Sequence, residues 1–452
     1  MNRWYLLFNF FFVGMYTCSA IPAPDDTSFV SFHNLPGYFP LVSQNTAATL
    51  IVSANDYKGV QRAVNDLKDD IKRVTDISPI ITHKLSGKNK NAIIIGTLGQ
   101  SEIIQQLINQ KIISVEKLKG KWESYAIITL KKPFKGIDHA MVIVGSDKRG
   151  TIYGIYNLSA NIGVSPWYWW ADMPVLPQKE IYVKPLAYYS EEPKVKYRGI
   201  FINDEEPALG GWVREKFGGF NHKFYEKVFE LILRLRGNYL WPAMWGKAFF
   251  VDDTLNGHLA DEYGIVIGTS HHEPLLRAHV EWQKFGHGAW NYQTNDSTLR
   301  DFWRKSLEQR KNYETILTIG MRGDGDEPMT ENANIALLER IVKDQRSIIE
   351  QVTKKNPADV PQLWALYKEV QDYYDHGMRV PDDVILLLCD DNWGNIRKLP
   401  LPSARKHPGG YGIYYHFDYV GGPRNYKWLN TNQIERTWEQ MHMAYEYGVN
   451  KL

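Results

Sequence analysis

The sequence predicts an α/β protein with a small N-terminal α+β domain followed by a (β/α)8 barrel of the TIM type. From residue 196 onward, short apolar runs rich in β-branched residues alternate with amphipathic helical patterns, which is typical of a parallel sheet. About seven such units in roughly 250 residues suit a closed barrel better than an open sheet. Polar clusters directly follow these runs, and a barrel carries its active site at the carboxyl ends of its strands.

The length and charge of the chain set limits on its organisation and partners. The 452 residues are enough for two or three domains, and the formal net charge is +2 without a basic block, so we expect no nucleic-acid partner. Residues 1–20 combine Arg3, an apolar run and small terminal residues, the pattern of a secretory signal peptide. We expect an extracellular protein that has no membrane association after cleavage of this peptide.

Residues 21–190 are predicted to form the N-terminal domain and a proline-rich linker. The first helix, at 56–74, carries apolar residues at the spacing of an amphipathic helix, namely Val60, Val64, Leu67 and Ile71. A second helix is predicted at 146–163, and strands are predicted at 50–53, 92–96, 125–130 and 141–145. The aromatic cluster at 167–170 is interpreted as a hydrophobic pad between the two domains.

Residues 191–452 are predicted to form the barrel. Its seven strands are expected at 198–204, 238–241, 265–269, 315–320, 363–369, 384–389 and 412–417. Asn221 is predicted to cap the helix that follows the first strand. A predicted helix stops at Gly448, just before the last four residues. In the same way, the helix before the second strand is predicted to stop at Gly237. We therefore expect an eighth strand to begin after Gly448, in a chain that is truncated before the barrel closes.

Four carboxylates near the predicted strand ends are candidates for catalysis: Asp204, Asp326, Glu369 and Asp390. Two carboxylates that face each other across a barrel mouth can cleave a glycosidic bond, one as an acid and one as a base. Partial burial at the end of its strand would suit Glu369 to the acid role. Asp326 and Asp390 suit the activation of water, although helix capping and loop bonding are alternatives for both.

Binding residues are predicted in two of the same loops. His271 and His272 follow the third strand, but adjacent side chains point in different directions and no second histidine cluster supports them. We therefore expect no metal and no cofactor there, and a role in hydrogen bonding a polar ligand. Arg322 suits pairing with a substrate carboxylate through its planar guanidinium, or alternatively it neutralises Asp324 and Asp326.

Eight segments of the chain together resemble glycoside hydrolase family 115, the xylan α-1,2-glucuronidases. They are GSDKRGTIYGIYNLS, YRGIFINDEEPAL, NYLWPAMWG, GTSHHEP, GMRGDGDEPM, LWALYKEVQDYYDHG, LCDDNWGN and YYHFDYVGGPRNYKW. The resemblance implies inverting removal of glucuronic acid or 4-O-methylglucuronic acid from xylan or glucuronoxylan oligosaccharides. The active-site residues that it implies are Asp204, His271 or His272, Arg322, Asp326, Glu369, Asp390, Asn392 and Tyr419. Within this set we expect Glu369 to be the acid and Asp326 or Asp390 to be the base.

The resemblance also implies further helical and β-rich domains after the barrel, which take part in dimerisation. A homodimer is therefore expected where those domains are present. Two alternatives remain for the chain itself. One is a hexosaminidase-like glycosidase with the same arrangement of a small domain and a barrel. The other is a secreted carbohydrate-binding or inactive truncated remnant, and the 15 Trp and 27 Tyr suit sugar stacking in every case.

Overall fold

The computed structural model describes residues 28–85, 90–202, 204, 206–329, 334–400, 407–417 and 432–452. The predicted signal peptide and Tyr419 lie outside the described residues. Within the part that is described, no helix is both long and apolar enough to cross a membrane.

Two sheets form the N-terminal region. Their strands are β1 (Val30–Ser31), β2 (Phe39–Ser43), β3 (Thr46–Ala47), β4 (Thr49–Val52), β5 (Ile81–Thr82), β6 (Asn91–Thr97), β7 (Tyr125–Phe134), β8 (Ile137–Gly145), β9 (Ile181–Val183) and β10 (Ala187–Tyr189). The smaller sheet has the order β1-β9-β2-β3, and the larger has the order β10-β7-β8-β6-β4-β5. Strands β8, β6, β4 and β5 are parallel, whereas β7 runs antiparallel to β8 and β10. The four strands predicted here are confirmed.

In the part of this region that the structure describes, three helices cover the larger sheet: α1 (Lys58–Thr75), α2 (Glu102–Asn109) and α3 (Lys148–Asn161). The predicted apolar face of α1 is fully buried and packs with α3 in one core, whereas α2 packs in a separate core. Asp147 caps α3 by accepting a hydrogen bond from the Gly150 amide at 2.8 Å. This cap explains why the helix begins near the polar residues at which the sequence predicted its start. Both predicted helices are confirmed within two or three residues at each end.

Seven parallel strands follow among the described residues of the second region: β11 (Gly199–Phe201), β12 (Tyr239–Trp241), β13 (Val266–Ile267), β14 (Leu317–Thr318), β15 (Gln362–Ala365), β16 (Ile385–Cys389) and β17 (Tyr411–Tyr414). They neighbour one another in chain order, and a parallel bridge between Ile267 and Thr315 joins the β13 and β14 segments. Residues 449–452 lie beside β17, and the Lys196 and Tyr197 amides donate to the Asn450 and Lys451 carbonyls.

Nine helices connect these strands: α4 (Leu209–Phe217), α5 (His222–Arg234), α6 (Phe249–Asp252), α7 (Leu255–Tyr263), α8 (Val280–Phe285), α9 (Tyr292–Arg310), α10 (Ile335–Thr353), α11 (Glu369–Asp375) and α12 (Ile434–Glu446) among the described residues. As predicted, Asn221 caps α5, where its side chain accepts from the Lys223 and Phe224 amides. The polar loops that follow the strands therefore gather at one end of a parallel array.

The aromatic cluster at 167–170 packs between the two regions, as predicted. Trp170 contacts Trp212 and Phe224, with ring centroids 5.8 and 6.3 Å apart, and its indole N–H donates to the Lys227 carbonyl. Trp169 also contacts Trp212. The small domain is therefore fixed to the helices α4 and α5 by a broad apolar contact.

Candidate active site

The side chain of Arg322 is the centre of the polar cluster at the strand ends. It follows β14 through Gly320, whose φ of +94° turns the chain out of the strand. Gln345 of α10 fixes this turn, because its side-chain amide bonds both the N–H and the C=O of Gly320 at 2.8 Å. The buried guanidinium donates from Nε and Nη2 to the two oxygens of Glu369, both at 2.8 Å. Its Nη1 donates to the carboxylate and to the main-chain carbonyl of Asp326.

Glu369 lies in a different setting from the one predicted. The sequence placed it at the end of a strand over 363–369, but β15 ends at Ala365 and Glu369 begins α11. The chain turns at Lys368, whose φ is +49°, so the extended segment does not continue to Glu369. Glu369 forms an ion pair with Arg322, with 2.8 Å between Nη2 and Oε2.

Asp326 closes a 3-10 turn over Asp324–Asp326 and is itself in the left-handed region, with φ of +66°. Its Oδ1 atom lies 2.9 Å from Nε2 of His271 and 3.5 Å from Nδ1 of His272. Burial raises the pKa of this carboxyl, but the hydrogen bond from His271 and the charges around it outweigh burial, so the pKa lies below its ordinary value. Asp326 is therefore held as an anion between Arg322 and the two histidines.

His271 and His272 both reach the same carboxylate, so the expectation that these adjacent side chains diverge is wrong. The physical reason is that β13 ends at Ile267 and the two histidines lie in a turn, where successive side chains do not alternate as they do in a strand. Burial lowers the pKa of His271 and lowers that of His272 to about 3. Both imidazoles are therefore neutral at ordinary pH. His272 also stacks on Trp245, with ring centroids 5.9 Å apart.

Asp204 is buried behind these histidines. Its Oδ1 accepts from the amides of Met244 and Trp245 at 3.1 and 3.3 Å, which fixes the indole that stacks on His272. Its Oδ2 is buried and makes no hydrogen bond with the described residues; Lys247 Nζ lies 4.0 Å away, beyond hydrogen-bond distance. Burial raises the pKa of this carboxyl.

Asp390 forms hydrogen bonds that link two loops. Its Oδ1 accepts from Nδ1 of His416 at 2.6 Å, and its Oδ2 accepts from the amides of Gly394 and His416 at 3.1 and 3.2 Å. The loop bonding that we considered as an alternative for Asp390 is thus present. Asn392 lies in the same loop with φ of +69°. The rings of Tyr367 and Tyr414 contact both His271 and His416. The same two aromatic side chains therefore pack against this loop and against the Arg322 cluster.

Two residues of the site, His416 and Glu273, were not among the site residues predicted from the sequence. His416 stood in the quoted motif YYHFDYVGG, but its pairing with Asp390, 26 residues earlier, has no signal in the spacing. Glu273 stood beside the two histidines. Its side chain accepts from the His279 amide at 2.9 Å, and its carbonyl accepts from the Thr269 hydroxyl at 2.6 Å, so it fixes the histidine loop. Burial raises the pKa of Glu273 to about 8.

The site therefore contains two carboxylates, Asp326 and Glu369, on different edges of one guanidinium and beside neutral imidazoles. Their side chains are 13% and 18% exposed, so both can meet a ligand. Carboxylates held apart and partly open to solvent, with hydrogen-bonding groups around them, are suited to acid–base chemistry on a polar substrate such as a sugar.

Comparisons with known families agree with this chemistry and define a glycoside hydrolase. A family model described as glycosyl hydrolase family 115 matches residues 190–452, and one described as glycosyl hydrolase family 67 N-terminus matches residues 31–158. The first match covers more than half of the chain. The chain belongs to glycosyl hydrolase family 115.

Two of the solved structures that are similar to this chain illustrate the range of likeness. One is described as a family GH115 4-O-methyl-α-glucuronidase, BtGH115A, with specificity for decorated arabinogalactans; it is 35% identical, with a TM-score of 0.82 over 91% of this chain. The present chain spans about half, 54%, of the length of that structure. A mutant β-hexosaminidase of Streptomyces plicatus is 10% identical with a TM-score of 0.50, covering 89% of this chain and 77% of its own, and shows likeness of fold alone. A comparison with curated proteins gives no match.

Proposed function

We propose that this protein is an inverting α-glucuronidase that removes glucuronic acid or 4-O-methylglucuronic acid from the side chains of xylan. The observation that carries the proposal is the guanidinium of Arg322 between Asp326 and Glu369. Carboxylates on two edges of one planar group are held in fixed positions, which supplies the pair of carboxyl groups that glycoside hydrolysis needs. Inversion is the part of the proposal that comes from the resemblance to the family. Membership of family 115 and the likeness to BtGH115A support a glucuronidase.

In this proposal Glu369 is the general acid and Asp326 is the base, with Asp390 as the other candidate base. Asp326 suits the base because the surrounding donors keep it anionic. The donors of Arg322 are already occupied by these two carboxylates, which favours its role as their positioning group over direct pairing with the substrate carboxylate. His271 and His272 then remain as hydrogen-bonding groups for the uronic acid.

Several broader features belong to the same proposal. The seven parallel strands form a (β/α)8 barrel that carries the site at the carboxyl ends of its strands, and residues 1–20 direct the protein to the extracellular space. A homodimer forms where the further domains of the family are present. Because BtGH115A is specific for decorated arabinogalactans, glucuronic acid on arabinogalactan is the second candidate substrate.

The acid role of Glu369 is tested by Glu369→Gln with two kinds of substrate. Loss of a general acid should reduce cleavage of glucuronoxylan oligosaccharides by about 10²–10⁴-fold, because the sugar alkoxide is a poor leaving group. Cleavage of an aryl α-glucuronide with an acidic phenol should fall far less. An equal loss on both substrates would remove Glu369 from the acid role, and release of N-acetylhexosamine in a parallel assay would favour the hexosaminidase alternative.

The stereochemical outcome and the substrate are tested with the wild-type protein. Proton NMR during the first minutes of reaction should show the β-anomer of glucuronic acid first, since inversion converts an α-linkage into a β-product. Initial release of the α-anomer would contradict inversion. Side-by-side assays on glucuronoxylan and on glucuronic-acid-decorated arabinogalactan decide between the two polysaccharides.

A further inference from the structure

Three potential metal ligands meet at the turn that contains Asp326. One nitrogen from His271, one from His272 and one carboxylate oxygen of Asp326 all lie within 4.8 Å of one another. The closest approaches of the two imidazoles to Asp326 Oδ1 are 2.9 and 3.5 Å. Atoms that bind one tetrahedral ion at the usual zinc–nitrogen and zinc–oxygen lengths are about 3.3 Å apart. The two nitrogen–oxygen distances therefore bracket the spacing expected of ligands of a single transition-metal ion.

A second observation comes from His272. Its side chain is 3% exposed, and its Nδ1 atom is buried without a hydrogen-bond partner among the described residues. A buried nitrogen without a partner costs free energy, so such an atom usually has a function or an unseen partner. This nitrogen faces the Asp326 carboxylate at 3.5 Å, where a cation would satisfy both groups.

The charges around the cluster permit a dication. Asp326 and Glu369 both bond to Arg322, so the acidic side chains beside the cluster outnumber the one arginine that contacts it. Arg322 contacts Asp326 directly and therefore opposes a metal ion, whereas its pairing with Glu369 partly offsets that repulsion. Two imidazoles and one carboxylate favour zinc, copper or nickel over magnesium or calcium, which prefer all-oxygen sites.

We propose that His271, His272 and Asp326 bind one divalent transition-metal ion, and that the bound ion blocks the candidate active site. The ion would occupy Asp326 and both histidines, the groups assigned above to the base and to the uronic acid. It is therefore an inhibitor of this site and takes no part in the reaction. The binding itself is independent of the proposed function, and only the inhibition rests on it.

Binding is tested with Zn²⁺ on chelator-treated protein, in competition with a chromogenic chelator. We expect one tight equivalent, at least a tenfold loss of affinity in His272→Ala, and no change in His258→Ala, whose side chain is 63% exposed on α7. Arg322→Met should tighten binding, because it removes the cation that opposes the metal. Absence of a saturable equivalent, or an equal loss in His258→Ala, would overturn the proposal.

A spectroscopic measurement on the unmodified protein makes the test independent of how the variants fold. With one equivalent of Cu²⁺, electron paramagnetic resonance should show coupling to two imidazole nitrogens; coupling to none or to one would overturn the site. Zn²⁺ at saturation should abolish glucuronide cleavage, and a chelator should restore it. Full activity with metal bound would refute the block, whereas metal binding by a protein with no glucuronidase activity at all would count against the proposed function alone.

Discussion

Two buried charge networks in this molecule differ in how completely their polar atoms are paired. At the contact between the two regions, Glu123 is fully buried, and its oxygens accept from Arg149, Asn238 and Arg198 at 2.5, 2.7 and 2.6 Å. Arg149 also forms a two-pronged pair with Glu314 at 2.7 and 2.9 Å. Around Arg322, by contrast, His272 Nδ1 and the nearby Asp204 Oδ2 have no partner among the described residues.

The difference in pairing indicates a structural role for the network around Glu123 and a functional role for the cluster around Arg322. A fully paired network holds two parts of a fold in one arrangement, and breaking it leaves charges buried without compensation. Atoms left unpaired beside partly exposed carboxylates cost stability, and proteins retain such groups mainly where a ligand uses them. We therefore expect substitutions in the first network to change stability and substitutions in the second to change activity.

The largest effect is expected from Arg322→Met. The variant leaves Asp326 and Glu369 without the cation that holds both, so their positions and charges change together. We expect cleavage of the glucuronide to fall about 10³-fold per folded molecule, the scale seen when a group that stabilises charge in an active site is removed. Steady-state kinetics on purified, folded protein measure this loss.

The matched control for that substitution is Arg340→Met. Arg340 also forms an arginine–carboxylate pair, with Asp296 at 2.7 Å, but its side chain is 53% exposed on α10. We expect its activity to equal that of the wild type. If Arg340→Met loses as much activity as Arg322→Met, the distinction between the two kinds of network fails.

The second effect is expected from Arg149→Met at the contact between the regions. Removal of this cation leaves Glu123 and Glu314 without one of their main partners, and loss of one member of a buried pair costs about 3 kcal/mol. The midpoint of urea unfolding should fall, whereas kcat of the folded fraction should stay unchanged. Lys119→Met, which removes an exposed pair with Glu116, should leave the midpoint nearly unchanged.

The helices and strands predicted from the sequence agree with the structure where buried apolar residues recur at a regular spacing. The face of α1 that carries Val60, Val64, Leu67 and Ile71 is buried as predicted, because one face of an amphipathic helix must meet the core. The seven parallel strands also lie where apolar runs occur, although β13 and β14 are only two residues long. Periodicity does not mark the residue at which an extended segment turns, which is why Glu369 was assigned to a strand.

The sequence predicted most of the residues that form the site, but not which of them bond to one another. Asp326, Arg322 and Glu369 stood out as charges after apolar runs, and the structure brings them together. Their bonding depends on the three-dimensional approach of loops separated by 47 residues in the chain, which local pattern does not contain. The burial of Glu273 and the convergence of His271 and His272 arise from the path of one irregular loop, so adjacent positions alone gave the wrong expectation.

A smaller effect is expected at Gln345, a buried residue that supports the loop of Arg322. Its buried amide bonds both main-chain groups of Gly320 and so positions Arg322. Gln345→Leu should leave that N–H and C=O buried and unpaired, which costs about 1–3 kcal/mol, and should also lower kcat several-fold. Gln345→Glu, which keeps an acceptor for the N–H, should recover part of the activity. A variant with lower stability and unchanged kcat would show that Gln345 acts on the fold alone.

The smallest effect is a change of stability with pH at Asp204. Burial raises the pKa of this carboxyl above 3.8, so the folded protein binds a proton there more strongly than the unfolded chain does. The stability of the wild type should therefore fall as pH rises from 3.8 through the folded pKa. Asp204→Asn does not titrate there, so its unfolding free energy, measured in urea, should rise relative to that of the wild type over this window.

Asp391→Asn is the control for the sign of that effect. Slight burial raises the pKa of Asp391, but hydrogen bonds from Asn395 and from main-chain amides lower it further, so the net shift is below 3.8. Its carboxylate therefore adds stability that is fully present above pH 3.8 and is lost as pH falls through the folded pKa, so the wild type should gain on this variant as pH rises from that folded pKa to 3.8. Opposite slopes for the two variants would support the view that Asp204 is held at a cost because the site uses it. Parallel slopes would place Asp204 with the fully paired charges of the fold.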